Sequence, residues 1–391
     1  VRTPIGPVVK VGTGPDISVA GPVKAAAQVQ VVITRAGGRN EGTYQLSLDG
    51  GDNFAPSRTI PIDGLVAVGS AGAVITFPDD DLVAGDIYAF DILAPAPTIS
   101  DVMDALEQPL SLYDVEFVYV VGPSDSVDWA AVGAKADELW NQHRPTFFKM
   151  ESRLPYADED IDDWTAAMVQ ELQGFAHRFV QVCAAWGEVS DSTGRRMVRN
   201  WAGLQAGRAM SIPVQRATGR VRDGGISQGA LPEAYTEAHQ ATLEEAGYVT
   251  AKHYAGLRSA YWGDSKSLAE VTSDFQYEEV LRTTFKAVRK ARIAALKSMY
   301  DEAGDALLEA QASGLAYLKA NIETALNTMR SAVPPELASY QITIPAGQDI
   351  VNNGVAVEMD LIGIPIIRKI KLFARYIYAG STFDPRLESA A

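Results

Sequence analysis

A group of basic side chains in the second half of the chain is the clearest candidate for a binding site. Within a predicted helical segment from Leu268 to Asp305, five cations share one arc of the helix at about 100° per residue. They are Arg282, Lys286, Arg289, Lys290 and Lys297. An apolar arc containing Leu281 and Phe285 lies beside them, so one face is expected to pack on a core and the next to be basic. Such a face can bind an acidic protein surface or another anion.

The rest of the chain gives this basic face its significance. The 391 residues carry a formal charge of -15, which argues against a general nucleic-acid binder. A concentrated basic helix in an acidic protein indicates an acidic partner or a neighbouring copy of the same chain. Arg292 falls in the apolar arc and Ile293 in the basic arc, which indicates that part of this face meets protein. The alternative is a solvated face whose cations form ion pairs with side chains four positions away on the same helix.

Residues for catalysis or metal binding do not form a known motif. The histidines, His143, His177, His239 and His253, have no metal-ligand spacing. Glu244 and Glu245 lie between two of them, but no metal or triad motif needs that spacing. There is no GxSxG elbow or GxxxxGK[ST] phosphate loop, and the glycine-rich stretch 219–225 is interpreted as a turn. The pattern favours a binding or structural role without a cofactor.

Other candidate features have structural interpretations. The acidic run from Asp158 to Asp163 precedes a helix and is interpreted as its N-terminal cap rather than a Ca²⁺ site. Asp49 begins a predicted hairpin turn. The one cysteine, Cys183, lies in an apolar run predicted to be helical and is expected to be a buried, inert thiol. No apolar run approaches the ~20 residues of a membrane span, and no signal peptide is visible, so no membrane insertion is expected.

Residues 1–97 form a predicted all-β domain. Strand-like runs at 29–36, 43–50, 73–78 and 87–93 are separated by turn signals. Tyr44, Leu46 and Leu48 alternate with polar residues, which is typical of a sheet with one buried and one solvated face. The pattern predicts a small β-sandwich or barrel that acts as an insertion domain.

Residues 98–228 are predicted to form a central α/β layer. Helical segments at 99–108, 129–142, 164–175 and 195–210 alternate with apolar runs at 117–121, 146–149 and 179–184. That alternation is typical of parallel strands connected by helices.

Residues 229–391 read as an α+β domain that ends in an apolar strand. Extended segments at 248–261 precede the basic helix, a second helix at 306–330 follows it, and strands are predicted at 338–344 and 355–361. The last run alternates apolar and polar residues. Its candidate strand residues are Ile366, Ile370, Leu372, Ala374, Tyr376 and Tyr378. A strand at the end of the chain can add to a sheet edge of another chain, and the alternative is an edge strand of its own domain.

Several stretches together resemble contractile phage tail sheath proteins. In the β domain the resemblance rests on TYQLSLDGGDNFAPSRTIP and on AVITFPDDDLVAGDIYAFDILAPAPT. In the second half it rests on a step from Arg258 to Trp262 that precedes the long basic helix, and on the ending VAVEMDLIGIPIIRKIKLFARYIY. The resemblance extends over most of the chain, and it rests on general sequence patterns rather than on catalytic signatures.

The resemblance implies a non-enzymatic structural polymer of a phage tail, assembled in the host cytoplasm. Its expected partners are copies of itself, the inner tube protein, and baseplate and tail terminator proteins. Terminal arms of sheath subunits link neighbours by adding strands to C-terminal domain sheets, and a helix of that domain contacts the tube. The basic face from Arg282 to Lys297 is the candidate for the tube or subunit contact. The family has an arm and the start of an α/β layer before its β insertion, whereas here Val1 leads almost directly into the β domain.

Two other functions are compatible with parts of the sequence. A surface or virion adhesin would bind glycans through its β domain and would need aromatic side chains on an exposed sandwich face. A hydrolase-like enzyme would use the central layer together with His143 or His177.

Overall fold

The fold is known from a computed structural model that describes residues 5–94, 97–156, 158–190, 196–304 and 313–379. The strands are β1 Val9–Val11, β2 Ser18–Ala20, β3 Ala27–Arg35, β4 Thr43–Ser47, β5 Arg58–Thr59, β6 Leu65–Ala67, β7 Val74–Thr76, β8 Ile87–Ile92, β9 Phe117–Ser124, β10 Phe147–Ser152, β11 Val180–Cys183, β12 Trp186–Ser190, β13 Arg196–Asn200, β14 Gly229–Ala230, β15 Ala251–His253, β16 Ala260–Trp262, β17 Ser339–Thr343 and β18 Glu358–Ile362. The helices are α1 Ile99–Leu112, α2 Ser126–Asn141, α3 Ile161–Glu171, α4 Ala202–Ser211, α5 Glu237–Ala246, α6 Glu278–Ala295, α7 Ser313–Arg330 and α8 Ile350–Asn353. The predicted mixed α+β multidomain class is confirmed.

The first part of the chain, up to residue 94, packs two antiparallel sheets on one core. The sheet orders are β1-β8-β3-β4-β5 and β2-β7-β6. Val31, Ile75 and Phe77 are fully buried between them. Ser47, expected on the solvated face, is instead buried, because its hydroxyl donates to Asp49 at 2.6 Å and accepts from the amide of Gly51 at 2.9 Å. This hydrogen bonding fixes the loop that follows β4.

The central layer contains the predicted parallel strands, in the order β11-β10-β9. Trp129 and Trp164 from the flanking helices are fully buried with Phe147 and Phe148 of β10. The acidic run caps α3 as predicted, since the Asp160 carboxylate accepts from the Asp162 amide at 2.8 Å.

Two helical predictions in this layer were wrong. The run around Cys183 is strand β11, which contradicts its helical interpretation but agrees with the apolar run predicted at 179–184, and the thiol is buried as expected. The helix predicted from residue 195 begins at Ala202, because Arg196–Asn200 pairs with β12 as the antiparallel strand β13. Cross-strand hydrogen bonding therefore overrides the local helical preference at both places.

The basic helix α6 is shorter than the sequence pattern predicted. Leu268 lies on the edge of β11, where its amide donates to the Val180 carbonyl and its carbonyl accepts from the His177 amide, both at 2.8 Å. The helix therefore begins only at Glu278 and ends at Ala295, where a short 3-10 turn follows. Alanines of α6 pack against Ile322, Leu326 and Met329 of α7.

The C-terminal arm, defined here as residues 363–379, forms no strand within its own chain. The arm forms neither helix nor strand, its backbone makes no hydrogen bond to the rest of the described chain, and most of its side chains are exposed. An edge strand in its own domain was one of the two alternatives for Ile366–Tyr378, and the structure contradicts it. Residues 380–391 and the start of the second predicted helix, at 306–312, lie outside the described residues.

Candidate functional site

Three of the five basic side chains on α6 make contacts inside their own chain. Arg282 is buried and its guanidinium donates to Glu116. Arg289 donates to Asp114 at 2.6 Å and also to the carbonyls of Val115 and Pro145. Lys286 forms an ion pair with Glu336. These contacts attach α6 to the segment before β9 and to the segment after α7, so the three cations do not form a free outward stripe.

Of the other two basic side chains, Lys290 lies near the C-terminal end of α6 and Lys297 lies in the 3-10 turn that follows it. Lys290 is half-buried, Lys297 is exposed, and neither has an ion-pair partner among the described residues; the same is true of Arg292. Ile293, Leu296, Met299 and Tyr300 beside them are 60%, 51%, 58% and 100% exposed. We call residues 290–300 the α6 tip. It combines unpaired cations with exposed apolar side chains, and an interface role for the five basic residues stays a prediction.

A buried charge pair at the start of α6 was missed by the sequence reasoning. The Lys149 ammonium group in β10 donates to the Glu278 carboxylate at 2.7 Å, and both side chains are at most 2% exposed. Burial lowers the pKa of Lys149, and the neighbouring Glu278 carboxylate opposes that change. The available signal was a lysine among apolar residues, FFKME, in a strand predicted to be buried.

Amide side chains complete the surroundings of this pair. Gln181 on β11 and Gln205 on α4 accept from the Lys149 ammonium at 2.6 and 2.7 Å, and both also donate to Glu278. The network therefore connects α4, α6 and two strands of the parallel sheet. A buried ion pair with satisfied hydrogen bonds and no access to solvent is suited to holding elements together.

The C-terminal arm is the second candidate site, and its apolar side chains face solvent. Ile370, Leu372, Tyr376 and Tyr378 are 74%, 90%, 84% and 74% exposed. Among the predicted strand residues, Ile366 is half-buried and Ala374 is exposed. The arm follows β18, which pairs antiparallel with β17 and, within the described chain, with no other strand. Both strands of this small sheet therefore present an outer edge without a ladder partner.

Two of the four histidines have polar partners among the described residues. His177 accepts the Phe179 amide on Nδ1, so its Nε2 carries the proton and donates to Asp137 at 3.2 Å. His239 contacts Asp162 at 2.6 Å at the starts of α3 and α5. His143 is exposed in a left-handed turn after α2, with φ of 57°. In the part of the chain that the structure describes, no cluster of three His, Cys, Asp or Glu side chains could hold a metal, and no helix is long and apolar enough to cross a membrane.

The glycine-rich stretch 219–225 is a turn, as predicted. The Arg208 guanidinium donates to the carbonyls of Asp223 at 2.9 Å and Gly224 at 3.1 Å, which holds the turn against α4. A shallow open groove of about 410 Å³ lies between the turn and the helix.

The aromatic side chains of the β domain are mostly internal. Tyr44, Phe77, Tyr88 and Phe90 are at most 5% exposed, while Phe54 is 39% exposed. This arrangement does not form the exposed aromatic face that the adhesin alternative needs.

Family models match both parts of the chain. The model described as DUF2586, N-terminal domain, matches residues 12–266, and the model described as DUF2586, C-terminal domain, matches residues 274–381. No curated protein matches the chain.

The fold is similar to solved structures of contractile assemblies. A chain of the anti-feeding prophage baseplate, 6-fold symmetrised, has 18% identity and a TM-score of 0.53 over 74% of this chain and 76% of that one. A chain of the anti-feeding prophage helical sheath in the contracted state has 16% identity and a TM-score of 0.50 over 75% and 78% of the two chains. The sheath tail protein from Desulfitobacterium hafniense has 13% identity and a TM-score of 0.47 over 92% and 82%.

The sequence resemblance to contractile tail sheath proteins is thus confirmed at the level of the fold. The two family models leave only short stretches of the sequence unmatched, and the chain belongs to the DUF2586 family.

Proposed function

We propose that this chain is the subunit of a contractile tail sheath, which polymerises around an inner tube and contracts to drive that tube through a target cell envelope. The observation that carries the proposal is the C-terminal arm, whose apolar side chains lie in solvent. It belongs to a chain with the fold found in a helical sheath. The role is structural rather than catalytic.

The exposed arm is costly for an isolated subunit. Burial of apolar surface contributes about 25 cal/mol per Å², so Leu372, Phe373 and Tyr376, each at least 84% exposed, favour association. A segment of extended backbone can add to an open sheet edge of a second molecule. The outer edges of the β17–β18 sheet on a neighbouring copy provide such a place.

A contact of this kind joins two different surfaces of identical subunits. An arm on one copy and a sheet edge on the next form a heterologous interface, which builds rings or open helical polymers. The chain therefore has copies of itself as its first partner. The inner tube protein, the baseplate and the tail terminator are the further partners we propose, and the phage tail is the proposed location.

We assign the contact with the inner tube to the α6 tip. Lys290, Arg292 and Lys297 can face an acidic surface, while Arg282, Lys286 and Arg289 are engaged within the subunit. Reversing Lys290 and Lys297 to Glu should weaken assembly on the tube, most strongly at low salt, because exposed charges are screened by ions. Pelleting the sheath with purified tubes at several salt concentrations measures this, and unchanged co-sedimentation of the double variant would contradict the assignment.

Electron microscopy of the purified protein tests the sheath role. Wild-type protein should form tubes at high concentration, and the double variant Leu372→Asp with Tyr376→Asp should remain unassembled with an unchanged melting temperature. Leu112→Asp, at a position 67% exposed on α1, is the matched control and should assemble normally. Wild-type protein that stays monomeric, or arm variants that form normal tubes, would refute the proposal.

A further inference from the structure

One ionic contact holds the C-terminal arm to its own subunit. The Arg368 guanidinium donates to Asp264 at 2.8 Å and also to Glu279. Its central carbon lies 3.5 Å from the ring centroid of Tyr277, so the charge is also stacked on an aromatic face. Glu279 is only 6% exposed. A planar guanidinium that bridges two carboxylates and covers an aromatic ring is a specific contact that a lysine could not reproduce.

The rest of the arm lacks comparable contacts. Among the described residues, the polar contacts between the arm and the remainder of the chain all come from Arg368. Its neighbour Ile367 is 82% exposed, and Ile370 is 74% exposed. Arg375, further along, is exposed and has no ion-pair partner in the described chain. Among the described residues, the arm is therefore attached to its own subunit by polar contacts at Arg368 and not beyond it.

The receiving side of this contact is held by further ion pairs and hydrogen bonds. Glu279 lies in the first turn of α6, next to Glu278, which holds the buried Lys149 of the central sheet at 2.7 Å. Asp264 is held by its amide, which donates to Glu244 at 2.6 Å, and Glu244 pairs with Lys252 at 3.0 Å. Burial raises the pKa of Glu279 and of Asp264, and Arg368 opposes both changes. Removing the guanidinium would thus leave two desolvated carboxylates without their common partner.

We propose that Arg368 is a positioning residue that locks the root of the C-terminal arm to the start of α6. The lock sets where the arm leaves the subunit and how much of it can reach a neighbour. Residues 369–379 span about 36 Å when fully extended, so a sheet edge that pairs with this segment must lie within that distance of the lock. The lock itself is a property of the single subunit, whereas delivery of the arm to a neighbour rests on the proposed sheath function.

Spin labelling of the unassembled subunit tests the lock. Cys183 is buried and does not interfere, so a nitroxide is placed at Ile367→Cys or at Tyr376→Cys, 84% exposed. The label at 367 should give the broad spectrum of slow motion and the label at 376 the narrow lines of a free segment. Arg368→Gln should convert the first spectrum into the second. Glu279→Gln should act in the same direction, and Arg368→Lys should restore the restriction only in part.

Arg375→Gln is the matched control, because it removes the same charge from the same arm and should change neither spectrum. Near-ultraviolet circular dichroism checks that each variant remains folded. Fast motion at 367 in the wild type, or slow motion that persists in Arg368→Gln, would overturn the lock.

Electron microscopy separates the two proposals. Arg368→Gln, which removes the lock, should form fewer and shorter tubes than wild type, because the arm no longer leaves from a fixed point. Tubes of normal number and length would overturn the role of the lock in delivery. Failure of the wild type to polymerise, with the spectral difference still present, would refute the sheath function and leave the lock standing.

Discussion

Charged side chains usually lie on the surface and apolar side chains inside, and the start of α6 and the C-terminal arm both depart from this rule. The start of α6 places Glu278 and Arg282 inside the subunit, where Lys149 and Glu116 neutralise them. The arm places Leu372 and Phe373 in solvent, at 90% and 89% exposure. Buried charges that face an opposite charge fix elements within a subunit, whereas a run of exposed apolar residues favours contact with a second molecule. The comparison separates the part of the chain that is packed into its own fold from the part to which we assign a role in assembly.

Breaking the buried pair should have the largest effect on stability. Lys149→Met leaves the Glu278 carboxylate buried without its counter-charge, and we expect a loss of about 3–5 kcal/mol in the free energy of unfolding. Denaturant unfolding followed by circular dichroism measures this loss. Lys135→Met is the matched control, because its ion pair with the half-exposed Glu138 should contribute at most about 1 kcal/mol. A loss for Lys149→Met no greater than that of the control would show that the pair does not hold the central layer together.

Two phenylalanines sharpen the same comparison. Phe285 is fully buried on α6, and truncation to Ala should cost about 3–5 kcal/mol. Phe373→Ala in the arm should change the free energy of unfolding by less than about 0.5 kcal/mol. Thermal and denaturant unfolding of both variants under dilute, unassembled conditions provides the measurement. A large destabilisation from Phe373→Ala would mean that the arm is part of the fold of its own subunit.

The smallest expected effect concerns the reactivity of two thiols. Burial raises the pKa of the Cys183 thiol to about 12, so the reactive thiolate is scarce at pH 8. The native protein should therefore not react with a disulfide reagent until it is unfolded, and its reactivity should rise only as the pH approaches that value. A cysteine introduced at the exposed position Leu372 should react at once. Rapid modification of Cys183 in the folded wild type would contradict its burial in β11.

Local patterns in the sequence predicted much of the fold for identifiable reasons. Apolar residues at every second position predicted the β domain, because successive side chains of a strand point to opposite faces of the sheet. Apolar runs between helices predicted the parallel layer, and β9, β10 and β11 confirm it. The apolar alternation of Ile366–Tyr378 predicted an extended segment without showing what would cover it. The interface role of this segment stays a prediction.

The candidate basic face could be predicted only in part. A helical wheel places Arg282 and Lys290 on one arc, but it carries no information about what lies opposite. Glu116 precedes Arg282 by 166 positions, and Asp114 precedes Arg289 by 175. Only the packing of α6 on the central layer brings these carboxylates to the helix. The same packing draws Leu268 onto the edge of β11 and delays the start of the helix.

The sequence by itself determined the mixed α and β composition, the amphipathic α6, the acid-capped α3 and an apolar C-terminal end, because each depends on residues close together in the chain. The tertiary structure decided which charges are internal, which have no ion-pair partner among the described residues, and where the arm contacts its own subunit. Electrostatic partners such as Lys149 with Glu278, or Arg368 with Asp264 and Glu279, meet only after the chain has folded. Their energies depend on burial, which no local pattern specifies.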